Sequence, residues 1–144
     1  MRAAEQGRQA VAAAMSEREL DEAVRALAAG LGLLAYHTRD SRRSAAGFPD
    51  WVIAGPRCGL VFAECKAQRG RLSADQKRWG EVLLGCGQAW YVWRPADLVS
   101  GEIARILSGA AGLKIAAEFA RAGLLSERSP RLPLSADTDL YWLR

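Results

Sequence analysis

Two β-prone apolar runs, Trp51 to Ala54 and Leu60 to Cys65, flank the turn-forming segment Gly55-Pro-Arg-Cys-Gly59, and this hairpin constrains the fold more than any other feature of the chain. With the loop at Gly55 to Gly59, Ala54 faces Leu60, and the same register sets Asp50 directly opposite Glu64. Opposed β-residues hold their Cβ atoms roughly 4.5–5.5 Å apart, where like charges destabilise a sheet. Two carboxylates on one spot therefore call for compensation. Strand alternation puts Lys66 on the face of Glu64, about 7 Å along, and turns the Cys65 side chain to the other side. A hard divalent cation between the acids, with an ammonium beside it, relieves the repulsion. The same face continues as Val52, Ala54, Leu60 and Phe62, an apolar floor that needs a covering helix.

The first amphipathic helix is the expected cover. It opens at Ser16 with Glu19 in a capping box, buries a stripe of Leu20, Val24, Leu27 and Leu31, and ends near Gly30 and Gly32. Glu17 lies within about 50° of the centre of that stripe at 3.6 residues per turn, so it is expected to point toward the sheet as a third acid. Leu33 to Thr38 reads as a short strand, followed by a polar loop that Pro49 closes. The run from Leu60 to Cys65 is apolar on both faces, as in a central strand. Ser73 and Gln76 form a second capping box, opening a helix through Trp79, Val82, Leu83 and Cys86. Ala89 to Trp93 is a further strand, and a strand, helix and strand in that order imply a parallel crossover. The expected fold is thus α/β, a mixed sheet flanked by helices in the order α-β-β-β-α-β. Residues 1–15 read as a frayed or loosely helical lead-in, and residues 99–144 as a helical extension ending in a poorly specified tail.

The basic excess is concentrated. Nine basic residues against four acidic ones lie between Tyr36 and Trp79, which makes this third of the chain the expected face for a polyanion. Arg39, Arg42, Arg43, Arg69, Arg71 and Arg94 are the candidate phosphate contacts, the first three because their loop adjoins Asp50. Three cysteines without close pairing and one histidine, His37, argue against a disulfide framework or a structural zinc site. No stretch reaches the ~18 apolar residues of a membrane span, so a cytoplasmic protein with no membrane partner is expected.

Glu17, then Gly47-Phe-Pro-Asp50, then Glu64-Cys-Lys66, then Gln76 resemble the PD-(D/E)xK nuclease superfamily, and more closely its virus-type replication-repair nuclease (VRR-NUC) domains. Phage members of that group carry stretches similar to Tyr36-His-Thr-Arg-Asp-Ser-Arg-Arg-Ser44, Gly70-Arg-Leu-Ser-Ala-Asp-Gln76 and Tyr91-Val-Trp-Arg-Pro95. The resemblance covers about residues 16–98. It implies a restriction-endonuclease-like core and phosphodiester cleavage dependent on Mg²⁺ or Mn²⁺, leaving a 5′-phosphate. Asp50 and Glu64 would hold the metal, with the Cys65 carbonyl and Glu17 as further ligands, and Lys66 and Gln76 would complete the catalytic set. Standalone phage members resemble homodimeric junction resolvases, so branched DNA is the implied substrate.

Other readings stand beside these. Asp50 can cap the turn after Pro49, Glu64 and Lys66 can pair on a solvated edge, and Glu17 can serve only the helix dipole. Gln76 is already accounted for by its capping box. His37 reads as structural more readily than as a metal ligand, and Trp79, Trp90 and Trp93 as core rather than as base-stacking platforms. Arg94 can clamp a phosphate or its own loop. A nicking or double-strand endonuclease without junction preference, and a non-catalytic DNA-binding module, remain the alternative functions.

Overall fold

The computed structural model of the protein describes residues 2–38 and 43–109. Helix α1 (Arg2–Ala14) is followed by α2 (Glu17–Gly30), β1 (Leu34–His37), β2 (Trp51–Gly55), β3 (Gly59–Cys65), α3 (Ala74–Gly85), β4 (Ala89–Trp93), α4 (Pro95–Val99) and α5 (Glu102–Leu107). The four strands form one sheet in the order β1-β2-β3-β4, antiparallel except for the β3–β4 pair. The mixed sheet flanked by helices, and the α-β-β-β-α-β order from α2 to β4, are as the sequence predicts. No helix among the described residues is long and apolar enough to cross a membrane.

Both capping boxes form. The Ser16 hydroxyl accepts from the Glu19 amide while Glu19 accepts from the Ser16 amide, and Ser73 and Gln76 do the same for α3. Each box satisfies two amide donors that a helix start otherwise leaves without partners. The hairpin register is also the expected one, with Ala54 paired to Leu60 and Trp51 to Ala63.

The sides of the sheet are used differently from the sequence reading. The core is built on Trp51, Ile53, Val61, Ala63, Cys65 and Trp93, against Leu20 and Val24 of α2 and Ile103, Ile106 and Leu107 of α5. Helix α2 therefore covers the face opposite Val52, Phe62 and Glu64, correcting the expectation that it would cover the acidic face. Leu31, expected in the buried stripe, is exposed, and Ala28 takes that role one turn after Val24. The acidic face is covered by α3 and the segment before β2. The Phe48 ring meets Phe62 and Trp79 edge to face, with centroids 6.5 and 5.1 Å apart. Gly80 lies so close to Trp90 that a Cβ there would fall 2.5 Å from the indole.

The chain ends depart from the sequence reading as well. The lead-in is a continuous helix packed along α4, with Ala12 buried and an alanine-rich sequence of high helix propensity. Helix α5 belongs to the core, since Ile103, Ile106 and Leu107 are all buried, so the core extends beyond residue 98. Arg39, Arg42 and the part of the expected extension from 110 to 144 lie outside the described residues.

Candidate active site

Asp50 immediately precedes β2 and is held from both sides. Its carbonyl accepts from the Thr38 amide at 2.9 Å, and the Thr38 hydroxyl donates to the Pro49 carbonyl at 3.0 Å. Gly47, at φ 79°, sits where a Cβ would fall 2.3 Å from the Asp75 backbone, so only glycine lets this segment lie against the start of α3. One step beyond the Trp51–Ala63 pair, the same register brings Asp50 opposite Glu64. The Asp50 carboxylate accepts from the Cys65 amide at 2.8 Å. In a strand the N–H and C=O of one residue leave by the same edge, so the Cys65 carbonyl also lies on the Asp50 side. The Cys65 thiol is buried in the α2 core, and burial followed by the charge of Asp21 pushes it up.

Glu64 is only 2% exposed. One of its oxygens, Oε1, takes Lys66 Nζ at 2.8 Å and also accepts from the side-chain amide of Gln76. Gln76 thus serves two purposes, its carbonyl oxygen closing the α3 capping box and its nitrogen reaching Glu64. Burial drives the Glu64 carboxyl up to about 7, with the Lys66 hydrogen bond opposing and the Asp50 charge reinforcing the rise. Burial also raises Asp50, against the Cys65 hydrogen bond and with the charge of Asp21. Burial alone would lower the Lys66 ammonium, yet the hydrogen bond to Glu64 and the charges of Glu64, Glu17 and Asp50 hold it above its ordinary value. Among the described residues the arrangement is two desolvated acids and one cation, short of one positive charge.

Glu17 stands exposed in the first turn of α2, and its charge is felt at Asp50, Glu64 and Lys66. Among the described residues no group of three His, Cys, Asp or Glu side chains is gathered as a metal cluster. The acids brought together are Asp50 and Glu64, and two carboxylates suit a hexacoordinate Mg²⁺ that keeps several waters.

Asp21 was missed by the sequence reading. Its carboxylate accepts from Trp51 Nε1 at 2.7 Å and lies 3.4 Å from His37 Nε2. The His37 ring packs edge-on against Trp51 with centroids 4.4 Å apart, and its buried Nε2 makes no hydrogen bond among the described residues. The signal for Asp21 was its place one turn after Glu17 on the same helix side. Trp93 is buried in the core, as expected, whereas Trp79 and Trp90 are half-buried outside it, their rings packing against Phe48 and Gly80.

The basic residues divide. Arg69, Arg71 and Arg43 are exposed. Arg94 turns inward, its Nη1 donating to the Ala67, Gln68 and Gly70 carbonyls at 2.9, 3.4 and 2.8 Å. Of its two sequence readings, the structure carries the loop clamp.

The chain has no significant match among protein-family models, curated proteins or solved structures.

Proposed function

We propose that the chain is a metal-dependent DNA endonuclease with a restriction-endonuclease-like core of the VRR-NUC type. The observation that carries this reading is the buried Glu64 facing Asp50, with Lys66 and Gln76 both on one of its oxygens. A purely binding surface for a polyanion gains nothing from two acids directed at phosphates.

Asp50 and Glu64 would hold Mg²⁺ or Mn²⁺, with the Cys65 carbonyl beside them and the Glu17 charge adding to the attraction. When bound, such an ion supplies a nucleophile at neutral pH and offsets charge that builds on the phosphate. The chain's own contribution is positional. Lys66, anchored on Glu64 at 2.8 Å, presents a fixed positive charge where a scissile phosphate would approach the acids. Gln76 holds the shared Glu64 oxygen and leaves the carboxylate one orientation. Exposed Arg43, Arg69 and Arg71 supply backbone contacts that place the strand without reading its sequence. A four-way junction has two symmetric strands to cut, so a resolvase of this kind would work as a two-fold pair of copies.

The test is incubation of end-labelled four-way junction, flap and linear duplex with Mg²⁺, with EDTA as control, alongside Asp50→Ala and Glu64→Ala. Cleavage leaving a 5′-phosphate, lost with EDTA and in both variants, is the expected result. Binding without turnover under Mg²⁺ and Mn²⁺ would replace the enzyme by a DNA-binding module. Equal cutting of junction and linear duplex would replace the resolvase by a general endonuclease.

A further inference from the structure

Lys66 and Gln76 reach the same Glu64 oxygen from opposite ends of one loop. Lys66 follows β3 directly, and its amide donates to the Trp93 carbonyl at 3.0 Å, so the parallel ladder with β4 ends there. Gln76 lies in the first turn of α3, beyond the cap at Ser73. The intervening residues 67–72 have no ladder or helix of their own, and their path decides where α3 begins relative to β3.

That path is set from β4. The carbonyls of Ala67, Gln68 and Gly70 converge on one guanidinium nitrogen of Arg94, the residue following the strand. Three converging carbonyl dipoles repel one another unless a donor stands among them, and a guanidinium supplies it with a charge that does not titrate. The loop closes on itself through the Gly70 amide and the Ala67 carbonyl at 2.9 Å. A Cβ on Gly70 would lie 3.3 Å from Ala67 backbone atoms and 3.4 Å from Lys66 Cβ, so the turn is drawn tightly beneath Lys66. A second tie is parallel to the first, since the Ala96 amide donates to the Gln68 side chain at 3.0 Å. Arg94 is itself fixed, its amide donating to Asp97 at 2.8 Å at the start of α4.

We propose that Arg94 is a positioning residue of the candidate site, which holds the 67–72 loop in the one path that lets Lys66 and Gln76 meet on Glu64. This deepens the endonuclease reading and rests on it for its catalytic consequence, while its geometric half stands independently. Arg94 acts through the loop; a phosphate contact is the rival role.

Arg94→Met keeps the aliphatic stem and removes every donor, and Arg94→Lys keeps the charge with poorer geometry. NMR on the metal-free protein reads the geometry. Arg94→Met is expected to speed exchange of the Gly70 amide at least tenfold and to shift the Gln76 side-chain amide toward its free position, with β2 and β3 amides unchanged. Kinetics read the consequence: kcat at least tenfold lower, DNA Kd within twofold of wild type, the salt dependence of binding unaltered, and Arg94→Lys intermediate. Weaker binding with a shallower salt dependence would assign Arg94 to a phosphate. Unchanged Gly70 exchange and Gln76 shift would overturn the clamp whatever the kinetics. If wild type cleaves no DNA, the endonuclease reading fails while the NMR arm still decides the clamp. If Arg94→Met does not fold, the same measurements on Arg94→Lys decide it.

Discussion

Replacing Glu64 by glutamine is expected to stabilise the metal-free protein at alkaline pH. The Glu64 carboxyl, at 4.5 in an ordinary setting, is pushed up to about 7 by burial. The folded chain therefore holds a proton that the unfolded chain releases between those values. Stability contributed by this group is greatest below that window and falls as pH rises through it. At roughly 1.4 kcal/mol per pH unit, keeping Glu64 ionised in the fold costs about 3 kcal/mol above pH 7. Glutamine has the same shape and no charge, and its carbonyl can still accept from Lys66 and Gln76. The attraction of Lys66 for the anion is already contained in the value of about 7, and solvent reaching the half-buried Asp50 and Lys66 beside it screens the charge, which discounts the gain to about 1–2 kcal/mol, or roughly 3–6 °C in Tm for a chain of this size. Thermal melts from pH 5 to 8.5 in EDTA should show the two proteins converging near pH 5 and the variant higher at pH 8. Mg²⁺ should narrow or close the gap. At a concentration ten times its dissociation constant it adds about 1.4 kcal/mol to wild type and nothing to a variant that lacks the ligand. A variant that melts below wild type at pH 8 with an unchanged pH slope would refute the reasoning, because the carboxylate would then be stabilised where it stands.

Lys66→Ala is expected to lower kcat by about 10²-fold, with DNA affinity within threefold of wild type in a filter-binding assay. Arg69→Ala with Arg71→Ala should instead weaken DNA binding and reduce the slope of log K against log salt by about 2, leaving kcat at saturating DNA intact. Because Glu64 must lose its proton to ligate a cation, Mn²⁺ affinity measured by calorimetry should be about tenfold weaker at pH 6 than at pH 8; a pH-independent affinity would place the ion elsewhere. Gly80→Ala forces a methyl to within 2.5 Å of the Trp90 ring and should cost about 1–3 kcal/mol in urea unfolding, without altering the Asp50–Glu64 pair.

The register of the acid pair was legible because a Gly-Pro-Arg-Cys-Gly turn between two β-prone runs leaves few pairings, and one residue of slip would exchange the faces of both strands. Helix starts were legible from their capping boxes, which are local chemistry. The side that α2 covers was not legible from alternation, because both faces of the hairpin are apolar: Trp51, Ile53, Val61 and Ala63 on one, Val52, Ala54, Leu60 and Phe62 on the other. The deciding signal was the charge at the end of the second row. A helix laid fully over Asp50 and Glu64 would bury both without relief, whereas the tryptophan-bearing row carries no charge and forms the core. The angle of Glu17 from that stripe does not locate it, because the stripe points away from the acids, yet its charge is felt at Asp50, Glu64 and Lys66. Arg94 was ambiguous for a different reason: a guanidinium suits phosphate and backbone carbonyls equally, and the tertiary path of a loop is not written in its neighbours.

Local signals otherwise agree with the structure. Caps, turn glycines and the α2 stripe from Leu20 to Ala28 each favour the element in which they occur. Among the described residues the sharpest conflict is that a carboxylate 2% exposed faces a second carboxylate one step beyond the β2–β3 pairs. Chains tend to carry such conflicts where function requires them, and perturbed acids gather at such sites. The surroundings of Glu64 bear on the choice. Had the pair been purely structural, packing favours an apolar residue at the Glu64 position, because Val52 and Phe62 on the same face, with Phe48 against Phe62, already offer it an apolar surface. Instead Lys66 and Gln76 both converge on Oε1, so the carboxylate is oriented without being neutralised, and Asp50 is held by the Cys65 amide. One lysine cannot balance two acids. Below pH 7 a proton on Glu64 offsets the excess, and on the endonuclease reading proposed above a divalent cation would do so at higher pH.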